Sequence, residues 1–117
     1  MYSATVMDHF QNPRNVGELP DADAVGKAGS PTCGDILRLY LKIENGRVAR
    51  ATFKTFGCGA AIAASSILTT MALGKTVPQL RTITNLQVAE ALGGLPPMKM
   101  HCSVLAEQAL ASALANL

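Results

Sequence analysis

The sequence predicts an α+β fold in which a β-hairpin is followed by a run of helices. From Asp35 to Ile43 apolar and polar side chains alternate, as in a strand with one buried face. A second strand is expected from about Arg47 to Phe56, and Asn45-Gly46 between the two is a strong hairpin signal. The chain after Phe56 shows helical patterns, and strands followed by helices are typical of α+β domains.

The register of this hairpin decides which side chains share a face. A plain two-residue turn would place leucines of the first strand opposite charged or polar residues of the second. A slip of one residue repairs the faces, and we expect a bulge at Gly46 to supply it. The inward face of the second strand then carries Ala49, Ala51 and Phe53. In either register Cys33 and Cys58 leave the hairpin at the same open end.

The segment before the hairpin is expected to be helical and then irregular. Tyr2, Val6 and Phe10 lie on one face of a short helix that ends before Asn12-Pro13. His9 has no candidate partner in the sequence and is interpreted as a surface residue. Residues 14–32 are rich in Gly and Pro and predict an irregular segment, with a short strand near Val25.

After the hairpin, local signals mark where helices begin and end. A helix from Cys58 to Leu73 is stopped by Gly74. Capping-box patterns at Thr76 and Thr84 open two short helices. A last helix begins near residue 101 or 102, after two prolines, and runs to the C-terminus.

Composition predicts one domain, residues 1–117, and excludes several function classes. The 117 residues are 49% hydrophobic, which favours folding over disorder, and the net charge of +2 is too weak to indicate nucleic-acid binding. We find neither a signal-peptide pattern nor a long apolar run for a membrane span. The expected compartment is the cytosol.

Three cysteines, Cys33, Cys58 and Cys102, are an odd number for a chain without a secretion signal, so a disulfide framework is not expected. Each lies at an expected element boundary beside Gly, Pro or His. Cys58 and Cys102 lie at expected helix starts, where free N–H groups and the helix dipole lower the pKa of a thiol. The alternative is that the three are buried hydrophobic residues.

Two further side chains are candidate ligands. Asp35 shares a strand face with Cys33, although a capping role at the strand start is the simpler alternative. His101 directly precedes Cys102, and alone it would be interpreted as a partly exposed residue. Adjacent residues of a helix point roughly 100° apart, so we expect His101 to be badly placed to activate Cys102 in nucleophilic catalysis, although it could serve the other thiols.

Thiolates, an imidazole and a carboxylate form a soft, mixed donor set that suits iron–sulfur clusters and zinc alike. A structural zinc site usually shows paired C-x₂-C spacing, which this chain lacks. Ligands from three separate elements near the surface indicate a site that can be filled and emptied.

Four segments resemble the IscU/NifU-type family of iron–sulfur assembly proteins. They are residues 12–17, 30–35, 53–63 and 95–103, in the order and spacing of the family. The resemblance implies a small antiparallel sheet of about three strands with helices packed on one face. It also implies a scaffold or carrier without enzymatic turnover.

The resemblance also implies ligands, cargo and partners. Cys33, Cys58 and Cys102 would receive sulfur from a cysteine desulfurase and bind iron, with Asp35 keeping the cluster labile and His101 as an alternative ligand. A transient [2Fe–2S] cluster would form first, with [4Fe–4S] on a dimer as an extension, and would pass to apo-acceptor proteins. The chain would be a monomer or a weak homo-oligomer, and the isolated protein could hold zinc.

A chaperone loop is implied as well. An Hsp70-type chaperone with its co-chaperone would grip Leu95, Pro96, Pro97, Met98 and Lys99, although the family commonly has Val where Met98 stands. Residues 99–103 favour the NifU branch, whose full-length members carry further modules, so the chain is a standalone or a truncated scaffold. Two alternatives stay open: a zinc-dependent sulfur acceptor of a cysteine desulfurase, and a zinc-stabilised binding domain.

Overall fold

The computed structural model describes residues 2–30 and 34–117. The three strands form an antiparallel sheet in the order β1-β2-β3, which confirms the predicted α+β class. The elements are α1 (Ala4–Gln11), β1 (Ala24–Ser30), β2 (Asp35–Glu44), β3 (Arg47–Phe56), α2 (Gly59–Ala72), α3 (Val77–Leu80), α4 (Asn85–Ala91), a 3₁₀ turn (Pro97–Lys99) and α5 (Met100–Ala115).

The hairpin between β2 and β3 has the predicted two-residue turn. Asn45 and Gly46 have φ angles of 54° and 75°, as a type I′ turn requires at both central positions. Glu44 pairs with Arg47 directly across the turn. The turn itself is therefore regular, and the prediction of a bulge at Gly46 is wrong.

The one-residue slip is present but lies farther along the strands. Ile43 pairs with Val48, whereas Lys42 pairs with Arg50, so Ala49 is the extra residue of a β-bulge. Val48 is buried and Ala49 is exposed, which corrects the prediction that Ala49 faces the core. The bulge lets the apolar side chains of β2 and β3 share one face without disturbing the turn.

Helices cover the apolar face of the sheet. The leucines of β2 at 37, 39 and 41 are buried together with Phe53 of β3. Helix α5 packs on β1 and β2, and α2 packs on β3 and on α5. Alanines at the helix contacts allow these close approaches, so the core consists mainly of aliphatic side chains and Ala.

The first helix packs on α2 with a face that shares Val6 with the predicted one but includes His9 in place of Phe10. Val6 and His9 are buried, whereas Phe10 is 43% exposed. The interpretation of His9 as a surface residue is wrong, because Ser66 of α2 supplies a polar partner that allows the imidazole to be buried.

The predicted caps of the later helices are confirmed. Thr76 and Thr84 each form a reciprocal capping box with the Gln three residues on. Gly74, with a φ of 79°, follows the end of α2. Local side chains therefore hold the chain direction between α2 and α5.

The expected short strand near Val25 is the longer strand β1, and α5 covers its outer edge. The backbone N–H of Lys27 donates to Ser112 Oγ (3.1 Å), and Asn116 Nδ2 donates to the carbonyl oxygen of Val25 (3.0 Å). Helix α5 is thereby attached to the sheet by polar contacts as well as by packing. None of the helices among the described residues has both the length and the apolarity needed to cross a membrane.

Candidate metal centre

Three of the predicted ligands meet at one end of the hairpin. Asp35 is the first residue of β2, Cys58 is the N-cap of α2, and Cys102 lies in the first turn of α5. One ligand atom from each lies within 4.8 Å of the others. Elements that are distant in sequence thus place a carboxylate and two thiols around one point.

Asp35 divides its two carboxylate oxygens between the backbone and the site. Its side chain is almost fully buried, and Oδ1 accepts a hydrogen bond from the backbone N–H of Cys58 (3.2 Å). Oδ2 lies 3.9 Å from Cys58 Sγ and 3.6 Å from His101 Nε2. One oxygen therefore holds the start of α2 while the other is directed to the thiol and the imidazole.

The two thiols are in contact but differ in exposure. The sulfur atoms of Cys58 and Cys102 lie 3.7 Å apart, and Cys58 is half-buried whereas Cys102 is buried. Burial, followed by the nearby charge of Cys58, raises the pKa of Cys102 to about 12. The prediction that a helix start lowers the pKa of this thiol is wrong, because desolvation outweighs the favourable end of the helix.

His101 lies at the rim of this group. Its Nδ1 is 3.1 Å from the carbonyl oxygen of Met98, which can only accept, so Nδ1 carries the proton of that bond. Nε2 is then the nitrogen that faces Cys102 Sγ, at 3.5 Å. The expectation that the two neighbours point apart is wrong, since the tight turn before α5 directs the imidazole back to the thiol.

The donor set fits one metal ion of the type that thiolates prefer. A tetrahedral ion with ligands at about 2.0–2.3 Å holds those ligands roughly 3.3–3.8 Å apart. The separations of Cys58 Sγ from Asp35 Oδ2 (3.9 Å) and from Cys102 Sγ (3.7 Å) are close to this range, so small side-chain movements would close the site around an ion. Cys33, the remaining predicted ligand, lies outside the described residues.

The segment before α5 lies beside the site. Met98 is 85% exposed in the 3₁₀ turn. The negative charge of Cys58, more than that of Tyr2, raises the pKa of Lys99. The sequence predicts a role for Lys99 only in the chaperone loop. Its position two residues before His101 is the feature of the sequence that could have placed its charge near the thiols.

Comparison with known proteins gives a consistent result. The family model described as NifU-like N terminal domain matches residues 1–117. Iron-sulfur cluster assembly scaffold protein IscU 1 of Archaeoglobus fulgidus is 56% identical over 116 residues, covering 99% of this chain and 76% of that protein. The scaffold protein IscU of Azotobacter vinelandii is 50% identical over 117 residues, covering 97% and 91% of the two chains.

Solved structures share the fold. A protein of Fervidobacterium islandicum, described as a proposed iron–sulfur cluster assembly scaffold for the SUF system, superposes with a TM-score of 0.81 at 20% identity, over 97% of this chain and 96% of that chain. The N-terminal part of a NifU-like protein from Brucella abortus gives a TM-score of 0.65 at 22% identity, over 97% and 81%. At these identities the likeness shows the fold alone.

Proposed function

The chain belongs to the family of NifU-like N-terminal domains, and on this premise we propose that it is a scaffold for iron–sulfur cluster assembly. It would take iron and desulfurase-derived sulfur, build a cluster and pass it to apo-acceptor proteins. The observation that carries the proposal is the meeting of Asp35, Cys58 and Cys102 at the open end of the hairpin. Relatives about half identical over nearly the whole chain are named scaffold proteins of this process.

The proposed ligands are Cys33, Cys58 and Cys102, with Asp35 and His101 as supporting donors. Thiolates bind iron and accept sulfur, and the two described thiols are close enough to hold one iron. Asp35 adds a carboxylate oxygen, a harder donor than sulfur, which weakens the hold on a cluster relative to an all-thiolate site. His101 Nε2 lies beside Cys102 and Asp35 and can replace either.

The position of the site supports reversible binding of its cargo. The donors lie at the ends of separate elements, and Cys58 is partly accessible. The first cargo we propose is a [2Fe–2S] cluster. Oδ2 of Asp35 would turn towards the cargo while Oδ1 keeps its bond with the N–H of Cys58, so the start of α2 would stay in place during loading and release. The protein would be a carrier whose product is the cluster it gives away, and it would carry out no enzymatic turnover.

The partners follow from this role. We propose a cysteine desulfurase as the sulfur donor and an Hsp70-type chaperone with its co-chaperone at Leu95–Lys99, where the Met98 side chain is 85% exposed. The unit that acts would be residues 1–117, working in the cytosol. Met98 offers an unbranched apolar side chain to a chaperone groove, and this flexibility suits it to such binding.

Anaerobic reconstitution tests the proposal. Ferrous iron, cysteine, a desulfurase and a thiol reductant such as dithiothreitol, which reduces the persulfide sulfur to sulfide, should produce visible absorption of a protein-bound cluster, followed by transfer to an apo-ferredoxin. Cys58→Ser should abolish stable assembly, and Asp35→Ala should slow release of the cluster. Asp21→Ala, which changes an exposed carboxylate, is the matched control and should behave as the unmodified chain.

Two outcomes would overturn the proposal. If only zinc binds, and sulfur transfer from the desulfurase requires that zinc, the chain is a zinc-dependent sulfur acceptor. If Cys58→Ser assembles a cluster in normal yield, the group at the hairpin end is not the assembly site. Faster or unchanged transfer by Asp35→Ala would remove that carboxylate from its assigned role.

A further inference from the structure

We propose that Gly57 is a positioning residue whose missing side chain makes room for the carboxylate of Asp35. Gly57 lies between the end of β3 and the N-cap of α2. A Cβ at this position would overlap Asp35 Oδ1 and lie 2.8 Å from its Cγ and 3.1 Å from its Cβ. Contacts this short are far inside the optimal separation of about 3.5–4.0 Å between carbon atoms.

Backbone conformation gives no other reason for glycine at this position. The positive φ angles among the described glycines belong to other positions, such as Gly34 at 72°, and Gly57 is not one of them. An L-amino acid can adopt the backbone of residue 57, and among the described residues the three atoms nearest to an added side chain all belong to Asp35. The requirement at Gly57 is therefore set by a residue 22 positions earlier, on another strand.

The backbones of the two residues cannot easily move apart. The β2–β3 ladder continues to the pair of Ile36 with Phe56, directly beside Asp35 and Gly57. A methyl group at residue 57 would therefore displace the carboxylate itself. Oδ1 would lose the N–H of Cys58, and Oδ2 would leave its place 3.9 Å from Cys58 Sγ.

This inference deepens the proposed function and rests on it for its biological meaning. Gly57→Ala should act like Asp35→Ala although the carboxylate is still in the chain. Residues that orient metal ligands typically contribute about 10–100-fold to metal affinity. We therefore expect Gly57→Ala to weaken Co²⁺ binding about tenfold, and to change the visible d–d bands in the same way as Asp35→Ala.

A metal-free measurement tests the geometry directly. In an NMR spectrum of the metal-free protein, the amide proton of Cys58 should show the downfield shift of a bond to a carboxylate. Gly57→Ala and Asp35→Ala should move it upfield by similar amounts. Gly29→Ala is the matched control, because a Cβ there would meet its nearest atom, the carbonyl oxygen of Asp35, at an ordinary 3.7 Å.

The double variant distinguishes a displaced carboxylate from a general disturbance. The double variant Gly57→Ala/Asp35→Ala should bind Co²⁺ no more weakly than Asp35→Ala alone. Adding Gly57→Ala should also lower the free energy of unfolding less in the Asp35→Ala protein than in the unmodified protein. If Gly57→Ala alone does not fold, recovery of folding in the Asp35→Ala background would support the proposal. Failure in both backgrounds, additive losses, or an unmoved Cys58 amide would overturn it.

These measurements are independent of the proposed function. Neither the chemical shift of the Cys58 amide proton nor the affinity for Co²⁺ depends on a desulfurase, sulfide or an acceptor protein. A chain that failed to assemble a cluster would refute the scaffold role and leave the placement of Asp35 by Gly57 to be decided by the amide shift. A Gly57→Ala protein with an unmoved amide would refute the positioning role and leave cluster assembly untouched.

Discussion

His9 Nδ1 lies 2.7 Å from the hydroxyl oxygen of Ser66, in the buried contact between α1 and α2. The same oxygen accepts a hydrogen bond from the backbone N–H of Arg14 (2.8 Å), so its own proton is free to be donated to the imidazole. Burial, followed by the charge of Arg14, lowers the pKa of His9, and Asp8 opposes this only in part. A neutral imidazole therefore joins the first helix to the second.

Stability should fall when the protein is acidified below about pH 6.5. The unfolded chain takes up a proton on His9 near its ordinary pKa of 6.5, whereas the folded chain does so only at lower pH. Above that value the protonation of His9 therefore adds nothing to the pH dependence of the free energy of unfolding. This free energy declines below that value, by at most about 1.4 kcal/mol per pH unit, until the lowered pKa is reached. Urea unfolding at about pH 7.5 and about pH 5.5 measures the decline, which His9→Gln should reduce.

A second pair of variants separates the charge from the burial. Arg14→Gln removes the cation that helps to lower the pKa of His9, so the acid-side decline should become smaller. Arg81→Gln removes an exposed arginine that is not among the charges acting on His9, and it should leave the decline unchanged. An equal effect of the two substitutions would contradict the local explanation.

Gly26→Ala should be strongly destabilising. A Cβ at this position of β1 would overlap the carbonyl oxygen of Ala109 and lie 2.5 Å from the backbone N of Ala113, so α5 would have to move off the sheet. We expect a loss of about 3 kcal/mol or more in the free energy of unfolding. Gly29→Ala, three residues along the same strand, should change it by less than about 1 kcal/mol; similar losses would show that the strand itself rejects alanine.

Loss of the Thr84 cap should cost about 1 kcal/mol. The Thr84 hydroxyl accepts from the N–H of Gln87 (3.2 Å), and the Gln87 side chain accepts from the N–H of Thr84 (3.1 Å). Thr84→Ala leaves the first of these N–H groups unpaired at the start of α4. Thr84→Ser keeps the hydroxyl and should retain most of the stability in chemical unfolding. If Thr84→Ser loses as much free energy of unfolding as Thr84→Ala, the methyl group of Thr84 rather than its hydroxyl is responsible.

Iodoacetamide should modify Cys58 well before Cys102 in the metal-free protein. Cys102 is 1% exposed, and its pKa is raised to about 12. At about pH 8 only on the order of one Cys102 side chain in 10,000 is a thiolate, the form that reacts. Peptide mass spectrometry over time gives both rates. In guanidinium chloride the two should converge, and equal rates in the folded protein would contradict the burial of Cys102.

Local signals predicted most of the fold because local interactions produce those features. The Asn45-Gly46 turn and the Thr84 cap each depend on residues within a few positions of one another, and the structure has both. The bulge at Ala49 depends on how the faces of two strands fit the helices above them. The sequence predicted that a slip was needed but not where the chain would absorb it.

The structure brings three of the candidate ligands together, but the acidity of one of them differs from the prediction. Asp35, Cys58 and Cys102 meet as expected from the hairpin and the helix starts. The pKa of Cys102 was predicted in the wrong direction, because a helix start is visible in a sequence whereas the depth of a thiol below the surface is not. His9 was misassigned for the same reason, since its partner Ser66 lies in another helix.

The attachment of α5 to the outer edge of β1 has a consequence for how copies of this protein meet. An open strand edge offers free N–H and C=O groups to any other strand, which is a common start of aggregation. Ser112 and Asn116 occupy the N–H of Lys27 and the carbonyl of Val25 on that edge. A strand from a second molecule would first have to displace the last turns of α5. The C-terminal helix therefore hinders growth of the sheet at its β1 edge into a shared, intermolecular one.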